Sequence, residues 1–172
     1  MVTERTIMIF PKFKNMHLIN KIRNEYDPLA EKLLPHLTLV FPFTSEFSKE
    51  EIEEWLAVAL NNIEAFPLKM GGFSKQVDRF GNYLFLNVME GNEKIIELHS
   101  NLYKGILESY KTDVMYKPHM TVGRVQTKED MDNVFQMLEH YEYKFETIVD
   151  TISVEVIGED EESNIELEFK LR

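Results

Sequence analysis

This chain predicts an α+β fold with an internal two-fold repeat, and three observations carry that expectation. Strand-like and helix-like segments alternate, but two adjacent strand pairs interrupt the alternation, which points to antiparallel sheet. One phrase, Pro-His-x-Thr-aliphatic, occurs twice, as PHLTL from Pro35 and PHMTV from Pro118; its histidines stand 83 residues apart in a chain of 172. The surroundings of each phrase also match: strand, helix, phrase-bearing strand, helix, strand.

The elements follow from local pattern. RTIMIF (5–10) is a mostly apolar run closed by Pro11 and reads as a strand. Over 15–32, Leu18, Ile19, Ile22, Tyr26 and Leu29 recur at helical spacing, with Pro28 expected to break or kink the helix near its end. HLTLVF (36–41) alternates and is rich in β-formers between two prolines. Ser48, with Glu51 three residues on, forms a capping box for a helix to about Asn62, whose face is Ile52, Trp55, Leu56, Ala59 and Ile63. FPLKMGGFSKQV (66–77) is a strand with a Gly-Gly irregularity, turned at 78–81 into the strand NYLFLNVM (82–89). Ile95, Leu98, Leu102 and Ile106 make one face of a helix over 92–110. HMTVGRV (119–125) is the second phrase-bearing strand, and Thr127 with Asp130 opens a helix over 128–140. FETIVDTISVEVIG (145–158) and IELEFKLR (165–172) read as strands around an acidic turn, 159–164.

Composition bounds the function. A 172-residue chain, 44% hydrophobic and 28% charged, fits one domain spanning 1–172, with a true core and a solvated surface. A net charge of -11 argues against long nucleic acid, which needs a basic face, and against anionic lipid; a small basic pocket stays open. The absence of cysteine excludes disulfides, thiolate zinc sites, Fe–S clusters and cysteine nucleophiles. No apolar run approaches the roughly 20 residues of a membrane span, and no leader pattern opens the chain, so a soluble cytoplasmic protein is the expectation. Oligomeric state is not legible.

The repeated phrase carries the chemistry. With nine Thr and six Pro in the chain, one Pro-His-x-Thr among five histidines is expected about 0.01 times by chance. In a strand, residues i and i+2 share a face, so His36 projects with Thr38, and His119 with Thr121, while Leu37, Leu39, Met120 and Val122 face the other way. A two-fold relation would bring two imidazoles and two hydroxyls to one cleft. Such a set suits phosphodiester cleavage: a neutral imidazole takes a proton from the nucleophile and a protonated one gives a proton to the leaving oxygen, both near neutral pH. The hydroxyls of Thr38 and Thr121 would hold non-bridging phosphate oxygens. No metal or other cofactor is required.

These residues resemble the 2H phosphoesterase superfamily, and within it the bacterial 2′-5′ RNA ligase-like proteins. The resemblance runs through IMIFP, PHLTLVF, YLFLNV and PHMTVGR, nearly the whole chain. It implies a bilobal fold around a central cleft, each lobe an antiparallel sheet flanked by helices. It also implies metal-independent work on 2′,3′-cyclic phosphates, 2′-5′ linkages or related small nucleotide or RNA-end substrates. By motif match, His36 and His119 are the catalytic pair, and Thr38 and Thr121 bind the phosphate. The alternative is a nucleotide- or RNA-end-binding module without turnover. A metal hydrolase using both histidines lacks the third ligand a catalytic zinc site needs.

Other residues receive expectations too. Strict alternation puts Arg124 on the opposite face from His119 and Thr121. Phe41, Tyr83 and Phe85 are expected in the core, with Phe43 the candidate to stack on a base at the cleft mouth. Tyr116 and Lys117 stand either at the cleft rim or simply at a solvated strand entry. His17, His99 and His140, on helices without a partner motif, are expected in surface or capping roles.

Overall fold

The computed structural model describes residues 2–172. Its elements run β1 (Thr3–Ile9), α1 (Met16–Tyr26), β2 (Leu37–Ser45), α2 (Lys49–Ala59), β3 (Phe66–Asp78), β4 (Gly81–Glu90), α3 (Asn92–Leu102), a 3-10 turn (Gly105–Tyr110), β5 (His119–Val125), α4 (Lys128–Leu138), β6 (Lys144–Val149), β7 (Thr151–Ile157) and β8 (Ser163–Lys170). The strands form two four-stranded antiparallel sheets, ordered β2-β1-β7-β8 and β5-β4-β3-β6. The α+β expectation therefore holds, and the two phrase-bearing strands are edge strands of different sheets.

The repeat is visible in the pairing. β1 returns through α1 to pair with β2, and β4 returns through α3 to pair with β5. The helices are exchanged between the halves: α1 packs against β5, and α3 packs against β2. One apolar cluster runs through both sheets, including Ile7, Ile9, Leu37 and Leu39 from the first and Leu84, Leu86, Met120 and Val122 from the second. Each such buried side chain stabilises the fold by roughly 1.5–3 kcal/mol.

Several local signals appear as read. The Ser48 amide donates to Glu51 Oε2 at 2.8 Å, while the Glu51 amide donates to Ser48 Oγ at 3.2 Å. The Thr127 hydroxyl accepts from the Asp130 amide at 3.0 Å. The β3–β4 register slips between Met70 and Phe73, at the Gly-Gly pair.

Three boundaries differ from the reading. α1 stops at Tyr26, because Asp27, which precedes Pro28, is extended and accepts from the Leu29 amide through its side chain at 3.0 Å. The helix expected over 92–110 breaks after Leu102. Gly105 there has φ +51, and a Cβ at that position would lie 2.5 Å from the Trp55 ring, whose Nε1 donates to the Leu102 carbonyl at 3.2 Å. The run 145–158 is two strands, not one: β6 ends in one sheet and β7 begins in the other, on either side of Asp150, whose carbonyl accepts from the Leu171 amide at 2.9 Å. Propensity registers the β-formers but not which sheet they join. Among the described residues no helix is long and apolar enough to cross a membrane.

Candidate active site

Each phrase sits at the start of its strand. His36, Thr38, His119 and Thr121 are half-buried, whereas Leu37, Leu39, Met120 and Val122 are fully buried, so the alternation is as read. β2 and β5 approach one another, and the charge of His119 is felt at His36.

The two imidazoles are held identically. His36 Nδ1 lies 2.8 Å from the Leu34 carbonyl, and His119 Nδ1 lies 2.7 Å from the Lys117 carbonyl, in each case two residues upstream across the proline. A carbonyl only accepts, so Nδ1 carries the hydrogen in both rings. Nε2 is then a lone pair in the neutral ring and an N–H in the cation, the two states an acid–base pair needs.

Both strands also slip at the same place. Met8 pairs with Thr38 and Ile7 with Val40, leaving Leu39 as an extra residue; Phe85 pairs with Thr121 and Leu84 with Gly123, leaving Val122 as its counterpart. Each slip is a β-bulge that reverses the faces just beyond it; on β2 a second slip between Val40 and Phe43 restores them. Val122 and Gly123 are therefore both buried, and a Cβ on Gly123 would meet Leu84 at 3.0 Å and Tyr26 of α1 at 3.1 Å.

The bulges overturn the expectations for Arg124 and Phe41. Arg124 pairs with Tyr83, which shares a face with Phe85 and hence with Thr121, so Arg124 lies on the motif face rather than opposite it. It is exposed, donates to the Phe80 carbonyl at 2.7 Å, and lies 5.7 Å over the Tyr83 ring. Tyr83 and Phe85 are not core residues either. They stack on each other at 6.0 Å, and Phe85 stacks on His119 at 3.7 Å and 23°. Phe41, after the slip on β2, is half-exposed, whereas Phe43 is buried and packs on Tyr110.

His99 is not a surface residue. It is 9% exposed, its Nδ1 bonds the Leu39 carbonyl at 2.7 Å, and its ring lies flat on Tyr116 at 3.6 Å and 3°. Its spacing from Ile95 and Leu102 places it on the buried face of α3, a signal the sequence carried, but its polar partners are distant in sequence. His17 and His140 are exposed, as read.

Burial holds the His36 imidazole down to about 4, with the Arg23 guanidinium and His119 adding to the effect and the Leu34 carbonyl and Asp27 opposing it. Arg23 donates to Asp27 at 2.8 Å in a pair whose side chains are 2% and 6% exposed. His119 is also lowered, by burial first, against the pull of the Lys117 carbonyl and with the Lys117 charge assisting. A depression of about 480 Å³ between the end of α1 and the start of α4 is lined by Asp27 and Arg124 but by neither imidazole. Among the described residues no three His, Asp or Glu side chains converge as metal ligands would.

Comparison with known proteins adds three findings. The family model described as the 2′-5′ RNA ligase superfamily matches residues 11–161. A chain of Geobacillus sp. (strain WCH70) named "Putative phosphoesterase" is 32% identical over 145 residues, covering 84% of this chain and 82% of that one. Among solved structures, E. coli LigT complexed with 3′-AMP matches with a TM-score of 0.66 at 15% identity, and LigT complexed with NADP+ with 0.68 at 14%, each over 99% of both chains. Likeness at that identity is likeness of fold.

Proposed function

This chain belongs to the 2′-5′ RNA ligase superfamily of phosphoesterases, and on that premise we propose that it opens 2′,3′-cyclic phosphates, or 2′-5′ linkages, of small nucleotides or RNA ends, using His36 and His119 as a metal-independent acid–base pair. The observation that carries this reading is the matched Nδ1–carbonyl bond, which leaves both Nε2 atoms for the substrate.

His36 is the base. Burial and the neighbouring Arg23 hold it neutral, so its Nε2 takes a proton from water as the water oxygen attacks phosphorus. His119 is also lowered by burial and the Lys117 charge, and as the acid it takes up its proton with the anionic phosphodiester bound beside it. It gives that proton to the leaving ribose oxygen as the ring P–O bond breaks. The product is a nucleoside monophosphate with one new hydroxyl, and the two imidazoles have exchanged protonation states. Thr38 and Thr121 donate to the non-bridging oxygens as charge builds there. The 3′-AMP in the LigT structure supports a substrate of nucleotide size, as does the net charge of -11.

The test is turnover of 2′,3′-cyclic AMP followed by phosphorus NMR across pH, with and without EDTA. Expected are a bell-shaped kcat/KM, no effect of the chelator and inhibition by 3′-AMP. Absence of turnover on cyclic phosphates and 2′-5′ dinucleotides, with nucleotide binding that His36→Ala and His119→Ala abolish, would make the protein a binding module instead.

A further inference from the structure

β2 is the edge of its sheet, so its outer backbone groups have no strand neighbour and must find other partners. Three side chains from the second half supply them, around the register slip at Leu39. The Tyr116 hydroxyl donates to the Thr38 carbonyl at 2.7 Å, His99 Nδ1 donates to the Leu39 carbonyl at 2.7 Å, and the Tyr103 oxygen accepts from the Phe41 amide at 3.0 Å. The three rings brace one another: His99 lies parallel to Tyr116, and Tyr103 meets His99 edge-on at 5.0 Å and 67°.

Tyr116 differs from the other two in its chain neighbours. The next residue, Lys117, holds the His119 ring through its carbonyl, and Pro118 then fixes its own φ before the strand begins. The four residues from Tyr116 to His119 thus grip the first motif at one end and carry the second at the other. We propose that Tyr116 is a positioning residue: by holding the Thr38 carbonyl while its neighbour holds the His119 imidazole, it sets the spacing of the two His-x-Thr motifs. This rests on the phosphoesterase reading above. A transition state bridged by both imidazoles is sensitive to that spacing, since a displacement of about 1 Å can cost about a hundredfold in rate. Tyr103 supplies the internal comparison. It satisfies the same edge of the same strand, but its neighbours hold no motif residue.

The experiment compares Tyr116→Phe with Tyr103→Phe. Each removes one oxygen and leaves its ring in place. Three quantities are read: the melting temperature, kcat and KM on 2′,3′-cyclic AMP, and the nitrogen-15 imidazole signals of His36 and His119 in the free protein. Tyr116→Phe is expected to lower kcat at least about tenfold with KM within about twofold, and to move both imidazole signals. Tyr103→Phe is expected to lower the melting temperature comparably while kcat and the imidazole signals stay close to wild type. If Tyr116→Phe changes the melting temperature alone, as Tyr103→Phe does, the positioning role is overturned. Should the wild type turn over no cyclic phosphate, the phosphoesterase reading falls, and Tyr116 is judged on the imidazole signals alone: movement in Tyr116→Phe but not Tyr103→Phe upholds the role, and equal behaviour ends it.

Discussion

His36 and His119 share a backbone bond and a strand with the same slip, yet their surroundings have little in common. His36 has a buried ion pair beside it, Arg23 with Asp27, and a tilted Phe10 ring 6.2 Å away. His119 lies against the face of Phe85, in a row that continues through Tyr83 to the exposed Arg124. Backbone geometry is common to the two halves, and the side chains around it are not. The matched bonds put the hydrogen on Nδ1 and leave Nε2 free in both rings. In the proposed mechanism the unlike neighbours separate the base from the acid.

The sharpest way to break that comparison is to remove each ring. His36→Ala and His119→Ala should each lower kcat/KM on a cyclic nucleotide by at least about a hundredfold, the lower end of what one general acid or base contributes. The double variant should lose less than the product of the two, because both act on one step. A single variant that keeps most of its activity would show that the halves are not equivalent partners.

Arg23→Met tests the unlike surroundings. It strands a buried carboxylate, so denaturant melts should show a loss of about 3–5 kcal/mol. In the folded variant, proton NMR should find the His36 titration moved up, since the Arg23 charge holds it down, and that of His119 unchanged. An unmoved His36 would remove Arg23 from the account.

The smallest effect is on stability against pH. Both folded imidazoles bind a proton more weakly than in the unfolded chain, where the value is about 6.5. The unfolded chain therefore takes up more protons as pH falls below that value. Stability that is whole above it declines, and the share due to His36 stops declining near 4, where the folded ring is protonated too. Melts at pH 7 and pH 5 should differ less for His36→Gln than for wild type; an equal difference would mean that His36 is not held neutral.

The motif residues were legible because period-2 alternation is a local property: Leu37 and Met120 go in, and Thr38 and Thr121 do not. The capping box at Ser48 was legible for the same reason. A bulge leaves no such mark. Leu39 and Val122 are ordinary β-formers, and only the partner strand reveals that each is one residue too many. Arg124 and Phe41 change face on that account, whereas Tyr83 and Phe85 alternate regularly with the buried Leu84 and Leu86, and only the packing of the sheet decides which face of β4 is the inner one. Asp150 was misread because the residues on either side of it suit a strand equally well, and their division between two sheets depends on partners far away in the chain. The bond from His99 to Leu39 spans 60 residues, beyond the reach of any helical spacing rule.

The sheet order β2-β1-β7-β8 also has a consequence in time. β1 and β2 are made well before the inner strand that completes their sheet, which pairs Arg5 with Val156. Until synthesis has passed that point, β1 offers one unpaired edge, and its apolar face, Ile7 and Ile9, lacks Val154 beside it. The second sheet waits in the same way for β6. The second sheet has all its strands once β6 is made, before β7 exists, so the first sheet is the later of the two to close and keeps an unpaired edge the longer.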